Sequence, residues 1–94
     1  MTIAADSFVQ DPVHVSRQRA KARDLRGTQW WKRELAKGLC HYCQGTFAKA
    51  ELTMDHIVPV ARGGRSTKGN VVVSCKPCNN KKRWLTPAEI LMQG

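Results

Sequence analysis

The sequence predicts a small α+β domain in which two short strands are enclosed by helices. Helical patterns cover 28–37 and 78–84, whereas short runs at 52–54 and 71–73 are typical of strands. Two Cys-x-x-Cys motifs stand before the first strand and just after the second. The chain has 94 residues, enough for one domain. A domain of this size buries a modest fraction of its surface, so its stability depends on further support.

The first predicted helix begins at Thr28, a favourable N-cap residue, and ends before Gly38, which suits a left-handed stop. Trp31, Leu35 and Leu39 recur at every fourth position and are expected to form one apolar face. Such a face is typical of a helix that packs against a core.

The predicted domain spans 28–94, and the residues before it are expected to differ in character. Residues 1–16 lack periodicity and are expected to form a flexible arm, with a short extended piece at 13–15. Residues 17–27 form a basic extension, either a helix on a phosphate surface or a disordered tail. A last short helix is predicted over 87–92, where a capping box carries proline at the first helical position.

The charge of the chain is strongly basic and unevenly placed. Sixteen lysines and arginines oppose seven acidic residues, giving a net charge of +9. Eight of those bases lie within 17–37, where only Asp24 and Glu34 oppose them. A solubilising surface would explain any single base, but this density indicates a polyanionic partner, nucleic acid first. A membrane surface is less well supported, because the stretch lacks a clear amphipathic anchor.

The sequence argues against a secreted or membrane protein. No apolar run approaches the roughly 20 residues that a membrane span needs. The first eleven residues carry two acids and no base, unlike the positive start of a secretory signal. We therefore expect a cytoplasmic protein.

The four cysteines predict a zinc site. Cys40 and Cys43 form one pair, Cys75 and Cys78 form the other, and 31 residues separate the pairs. This spacing is typical of a single tetrahedral Zn²⁺ held by four thiolates. The alternative, two disulfides, is typical of secreted proteins and fits this sequence less well. Four thiolates complete the coordination shell of the zinc, so His41 is expected to face solvent or to stack. Structural zinc contributes about 10–16 kcal/mol to folding, which would support so small a domain.

A second constellation, of Asp55, His56, Asn70 and Asn79, stands within this cysteine frame. A carboxylate can hold a divalent cation, and a neutral imidazole can take a proton from water. Both side chains can reach one site if the chain bends at the strand end. Asn70 can clamp the loop behind His56, and Asn79 can add an oxygen ligand suited to Mg²⁺ or Mn²⁺. Each residue alone has a structural explanation, but their joint placement indicates phosphodiester hydrolysis.

The connection 57–69 is long for a link between two strands, which indicates a functional loop. Its bases, together with those of the helices, are predicted to contact DNA. The predicted DNA contacts are Arg62, Arg65, Lys68, Lys81, Lys82, Arg83, Arg23 and Arg26.

These motifs resemble those of the HNH endonuclease family. The shared pattern over about 28–85 is Cys-x-x-Cys, Asp-His-Ile-x-Pro, Gly-Gly, Asn-Val-Val and Cys-x-x-Cys-Asn-x-x-Lys. The resemblance implies a ββα-metal (His-Me finger) fold, one catalytic divalent cation and double-stranded DNA as substrate. It also implies a structural zinc, as in the cysteine-bearing subset of the family, and a bacterial or phage-encoded protein.

The resemblance further implies a role for each motif position. His56 resembles the general base, Asp55 the first ligand of the catalytic cation, and Asn70 the residue that positions the base. Asn79 occupies the last motif position, where the family has histidine or asparagine, so the chain is an HNN variant. The catalytic ion implied is Mg²⁺, Mn²⁺ or another divalent cation. We expect the protein to be a monomer or a weak dimer.

Two other functions fit parts of the sequence. A non-catalytic zinc module that binds nucleic acid explains the charge and the cysteines, but gives no reason for Asp55, His56, Asn70 and Asn79 to occur together. A zinc adaptor for protein partners predicts no salt-dependent affinity for DNA.

Overall fold

The computed structural model describes residues 11–82, which form a helical N-terminal half and a two-stranded sheet with a closing helix. The elements in chain order are α1 (Pro12–Arg26), α2 (Gln29–Ala36), β1 (Leu52–His56), β2 (Val71–Cys75) and α3 (Lys76–Lys82), with single 3₁₀ turns at Lys49–Glu51 and Val60–Arg62. The predicted α+β class is confirmed. The predicted helix over 87–92 lies outside the described residues.

Helix α1 begins earlier than the sequence suggested. Asp11 caps it by accepting a hydrogen bond from the Val13 amide at 3.0 Å, and Pro12 occupies the first helical turn. The expected extended piece at 13–15 is wrong, because this cap and proline favour a helix more strongly than two valines favour a strand. Residues 17–26 continue the same helix, which is the helical alternative for the basic segment.

Helix α1 is held against the rest of the protein by a narrow face. Its buried residues are Gln18 and Ala22, four positions apart, and it packs against α2 and the turn Val60–Arg62. The remaining surface of the helix is predominantly basic and exposed. The helix therefore packs against the domain through one face, and its other faces are available to a polyanion.

Helix α2 follows its predicted limits closely. The Thr28 hydroxyl accepts a hydrogen bond from the Trp31 amide at 3.2 Å, and Gly38 adopts a φ of +70°. Trp31 is buried as expected, but Leu39 is 44% exposed. The prediction for Leu39 is wrong because Gly38 turns the chain away from the helix, and Leu39 pairs with Thr46 in an isolated bridge instead.

The two strands run antiparallel, and their register positions the residues of interest. Leu52 lies opposite Cys75 at one end, and His56 lies opposite Val71 at the other. The strand stays paired through His56, so the expected bend between Asp55 and His56 is absent. Successive residues of a paired strand point to opposite faces, and the two side chains accordingly enter different hydrogen-bond networks.

The core is small and includes two cysteines. Among residues 11–82 the buried hydrophobic side chains are Ala22, Trp31, Cys40, Leu52, Met54, Val71, Val73 and Cys75. Leu25, Trp30, Leu35, Tyr42, Phe47 and Cys78 pack around them. No helix in the described part of the chain has the length and apolar character to span a membrane.

The loop between the strands depends on two consecutive glycines. Gly63 has a φ of +93°, and the Gly64 amide donates to the Pro59 carbonyl at 2.9 Å. A Cβ atom on Gly64 would lie 1.7 Å from the Val58 carbonyl oxygen, far inside van der Waals contact. Glycine is therefore required there for the backbone to close over itself.

We predict that Gly64→Ala destabilises the domain by on the order of 3 kcal/mol, because the backbone of the loop must move apart to accommodate a methyl group. Thermal melting of the zinc-loaded protein measures the effect. Gly69→Ala is the matched control, since no atom lies within 4 Å of the position its Cβ would take. Equal melting temperatures for the two variants would contradict the close packing at Gly64.

Candidate active site and metal cluster

The four predicted zinc ligands come together in one cluster. Their sulfur atoms all lie within 4.8 Å of one another, and the Cys43 and Cys75 sulfurs are 3.9 Å apart. Four thiolates at 2.3 Å from a tetrahedral zinc would be separated by about 3.8 Å. The Cys43 amide points at the Cys40 sulfur at 3.5 Å, as expected for a metal-binding knuckle. The cluster can therefore hold a metal such as zinc.

The acidity of the thiols also favours a bound cation. Burial alone would raise the pKa of Cys40, but amides of Cys43, Cys75 and Tyr42 point at its sulfur and lower the pKa to about 6. Burial and the neighbouring sulfurs raise the pKa of Cys78 to about 12. One thiolate thus opposes ionisation of the others, and a divalent cation would remove that opposition.

The two knuckles attach this cluster to the sheet. Cys75 ends β2 and Cys78 lies in the first turn of α3, so the helix starts at the strand end. The His41 amide donates to the Val73 carbonyl at 2.8 Å, which fastens the first knuckle to the same strand. The His41 ring itself is exposed and edge-on to Tyr42, in agreement with the expected stacking role.

Asp55 is buried beneath α3 and is surrounded by donors. The Asn79 side-chain amide donates to its Oδ1 at 2.8 Å, and the Tyr42 hydroxyl donates to its Oδ2. The Lys82 ammonium lies 3.4 Å from the same Oδ2. Burial and the adjacent carboxylate raise the pKa of Tyr42, so the phenol keeps its proton. The predicted pair of Asp55 and Asn79 is therefore brought into contact.

Lys82 does not face solvent. Its side chain is 3% exposed, and its ammonium donates to the His56 carbonyl at 2.8 Å as well as pairing with Asp55. The prediction that Lys82 contacts DNA is wrong, because its position three residues after Asn79 places it on the same inward face of α3. It connects the backbone at His56 with the carboxylate of Asp55.

His56 lies on the other side of the strand from this cluster. Its Nε2 is 2.8 Å from the Ser66 hydroxyl oxygen, and its ring is half-buried. Burial lowers the pKa of His56, Arg26 and Lys82 lower it further, and Asp55 opposes them. The imidazole is therefore held neutral at pH 7, the state in which it can accept a proton.

Asn70 makes the loop clamp that its position predicted. Its Nδ2 donates to the carbonyls of Val58 and Arg65 at 3.1 and 2.8 Å. Its Oδ1 accepts from the Val58 amide at 2.9 Å, and its own carbonyl accepts from the Ile57 amide at 2.8 Å. Asn70 does not contact the His56 ring in this arrangement; it closes the loop that begins directly after His56.

A cleft of about 500 Å³ opens between α1 and the turn Val60–Arg62, and His56 lines it. Three arginines of α1 share this cleft: Arg19, Arg23 and Arg26. Arg23 and Arg26 were predicted DNA contacts, whereas Arg19 was not. Arg19 precedes Arg23 by four residues and Arg26 by seven, so all three lie on the helical face that includes the buried Ala22. This spacing could have identified Arg19 from the sequence.

The remaining predicted DNA contacts are spread over other surfaces. Arg65 and Lys81 are exposed, and Arg62 is half-buried in its turn. Lys68 lies with its ammonium 5.5 Å from the centre of the Trp30 ring, beside a separate groove that His56 does not line. Arg83 lies outside the described residues.

Besides Arg19, sequence reasoning missed three residues of the site: Tyr42, Gln18 and Ser66. Tyr42 lies between Cys40 and Cys43. A metal site shared by the two cysteine pairs brings this position near Cys75 and Cys78, so the cysteine spacing could have indicated it. Gln18 and Ser66 are 48 residues apart, and no local pattern connects them.

Comparison with known proteins identifies the family of this arrangement. A search of curated proteins gave no match. The family model described as HNH endonuclease matches residues 40–93, from the first cysteine of the cluster to beyond α3. This segment contains the cysteine cluster, Asp55, His56 and Asn79, and it covers more than half of the sequence. The chain belongs to the HNH endonuclease family.

Proposed function

We propose that this protein is a metal-dependent DNA endonuclease that hydrolyses phosphodiester bonds. One observation carries the proposal: His56 lines an arginine-walled cleft, and the residue before it, Asp55, accepts a hydrogen bond from the Asn79 side chain. Family membership supports nuclease chemistry on nucleic acid. Hydrolysis needs a proton acceptor, charge stabilisation and a site for a phosphate. His56 and the cleft arginines offer the first and the last of these on one face of β1, and Asp55 and Asn79 offer the charge site on the other.

His56 is the proposed general base. A neutral imidazole in the cleft can take a proton from water as the water attacks the phosphorus atom. The charge of Arg26 and Lys82 disfavours the imidazolium form in the resting enzyme. The Asn70 clamp fixes the loop that follows the base, so Asn70 acts as a positioning residue.

Asp55 and Asn79 are the proposed ligands of a catalytic divalent cation. With the Asn79 amide oxygen, rather than its nitrogen, turned toward Asp55, the two residues would offer a hard donor set that suits Mg²⁺, Mn²⁺ or a related ion. When bound, such an ion polarises the phosphoryl oxygen and stabilises the leaving oxygen. The neighbouring Lys82 and Tyr42 neutralise and solvate the buried carboxylate, so the site remains folded when no cation balances its charge.

The cysteine cluster is proposed to hold a structural zinc. Its sulfur set is complete, so it lacks the open position of a catalytic zinc site. Thiolate ligands persist in a reducing compartment, in keeping with action in the cytoplasm.

The proposed substrate is double-stranded DNA, contacted first through the α1 arginines. Arg19 and Arg26 are separated by about 10.5 Å along the helix axis. That length corresponds to about three nucleotides at a rise of 3.4 Å per step. One protomer carries one such site, so a double-strand break requires two binding events or a dimer.

We predict that His56→Ala lowers the rate of plasmid nicking by about 10²- to 10⁴-fold, because the proton acceptor is removed. The assay follows supercoiled plasmid with the zinc-loaded protein and added Mg²⁺ or Mn²⁺. EDTA should abolish cleavage, and the affinity for DNA should be retained.

His41→Ala is the matched control for this test, since His41 is exposed and lies outside the cleft. Equal loss in both histidine variants would remove the special role of His56. Tight DNA binding by a wild-type protein that cleaves with no metal would instead favour a non-catalytic nucleic-acid-binding module.

We predict that Arg23→Gln reduces the slope of log affinity against log salt by about 1, because one phosphate contact is lost. Binding of a short duplex at several salt concentrations measures the slope. Arg17→Gln removes the same charge from a different face of α1, beside Pro12 and Val13, and should change the slope less. An equal change in both variants would contradict binding in the cleft, and a flat salt response of the wild type would favour a protein adaptor.

We predict that Cys75→Ser abolishes stoichiometric zinc and the cooperative melting transition, because zinc binding contributes about 10–16 kcal/mol to the folding of such domains. Metal content by atomic emission and melting by circular dichroism are the measurements. Gly69→Ala, prepared in parallel, should retain one zinc per chain. A Cys75→Ser protein that melts like the wild type would exclude a structural role for the cluster.

A further inference from the structure

A buried polar chain connects α1 with the ring of His56 through the loop between the strands. Gln18 and Ser66 are 4% and 6% exposed. The Ser66 amide donates to Gln18 Oε1 at 2.7 Å, and the Ser66 hydroxyl donates to the Gln18 backbone carbonyl at 2.6 Å. The same hydroxyl oxygen lies 2.8 Å from His56 Nε2. Each of these atoms thus has a hydrogen-bond partner inside the protein.

The direction of the last hydrogen bond follows from counting protons. A serine hydroxyl has one proton, and a backbone carbonyl can only accept. The Ser66 proton is therefore committed to Gln18. His56 Nε2 must then supply the proton of its bond to Ser66, which leaves the lone pair of the neutral ring on Nδ1.

We propose that Ser66 and Gln18 are positioning residues that fix the tautomer and orientation of the catalytic histidine. Resting on the proposed function, this assigns Nδ1 of His56 as the atom that takes the proton from water. It also makes α1 a part of the catalytic unit, although α1 lies outside the segment shared with the family.

A positioning role for Ser66 can be distinguished from a purely structural role in docking α1. The bond from the Ser66 amide to the Gln18 side chain docks α1 on the loop and does not involve the Ser66 hydroxyl. Ser66→Ala keeps this docking bond and removes only the contact to His56 and the second bond to α1. The variant therefore keeps one of the two bonds that dock the helix while it removes the contact that orients the ring.

The primary test is the tautomer of His56, measured on zinc-loaded protein labelled with ¹⁵N-histidine at pH 8, where the imidazole is neutral. Long-range ¹H–¹⁵N correlation spectra distinguish protonated Nε2 from protonated Nδ1, and the spectrum of His56→Ala assigns the signals. His14 is an internal reference, because its Nε2 lies 3.0 Å from the Gly64 carbonyl and must also carry a proton.

We expect wild-type His56 to be protonated at Nε2, and Ser66→Ala to populate both tautomers. Thr67→Ala, which removes a hydroxyl from the next and exposed loop residue, should leave the spectrum unchanged. A wild-type ring protonated at Nδ1, or a Ser66→Ala ring that keeps the wild-type tautomer, would falsify the proposal whether or not the protein cleaves DNA.

The second readout is single-turnover cleavage of a saturating duplex. Ser66→Ala should lower the rate about 10- to 100-fold, the usual cost of losing an orienting partner, with the Kd for DNA unchanged. Ser66→Thr should restore the hydroxyl, the tautomer and most of the rate. Gln18→Glu, which keeps an acceptor for the Ser66 amide, should also retain the tautomer and covers a failure of Ser66→Thr to fold.

The two hypotheses fail in distinguishable ways. A folded Ser66→Ala protein that cleaves at the wild-type rate overturns the positioning role. Absence of cleavage by the wild type, with its His56 protonated at Nε2 and both tautomers populated in Ser66→Ala, overturns the proposed endonuclease and supports the orienting contact.

Discussion

The arrangement of the domain depends on the join between β2 and α3 at the cysteine cluster. Cys75 is both the last residue of the strand and the partner of Leu52 across the sheet, and α3 starts at the next residue. A helix of seven residues is not stable in water on its own, because nucleation is costly. A metal shared by Cys78 and the buried Cys40 and Cys75 would hold the helix over β1. This placement brings Asn79 to Asp55.

The cysteine cluster also explains why a core with so few apolar residues is enough for this fold. Cys40 and Cys75 are among the most buried side chains of the described residues, so the cluster forms part of the core. A bound metal would replace hydrophobic surface that a chain of this length cannot provide. The buried Asp55 adds a cost, since an isolated carboxylate is strongly disfavoured in a protein interior. Three donors offset this cost: Asn79 and Lys82 from α3, and Tyr42 from between Cys40 and Cys43.

Local signals in the sequence predicted what local chemistry controls. Thr28 and Gly38 set the ends of α2, and the cysteine spacing identified the cluster. The side-chain amide of Asn70 can both donate and accept hydrogen bonds, which predicted that it would clamp the loop. Lys82 was misassigned because composition gives charge but not helical phase. Its inward direction follows only when α3 is oriented by Asn79. Strand β1 also continues to His56, beyond the predicted run at 52–54, because the end of a strand depends on hydrogen bonds from the partner strand.

The contribution of α1 required the folded arrangement, because it joins residues far apart in the chain. A single rigid helix carries the buried Gln18 on one face and the cleft arginines on the next. The distance between the cleft arginines and the ring of His56 is therefore set by the helical repeat, and a flexible basic tail could not maintain it. Arg26 faces both functions, since it lines the cleft and also disfavours the charged form of the imidazole. In this protein the basic surface and the buried contact that reaches the ring of His56 lie on one helix.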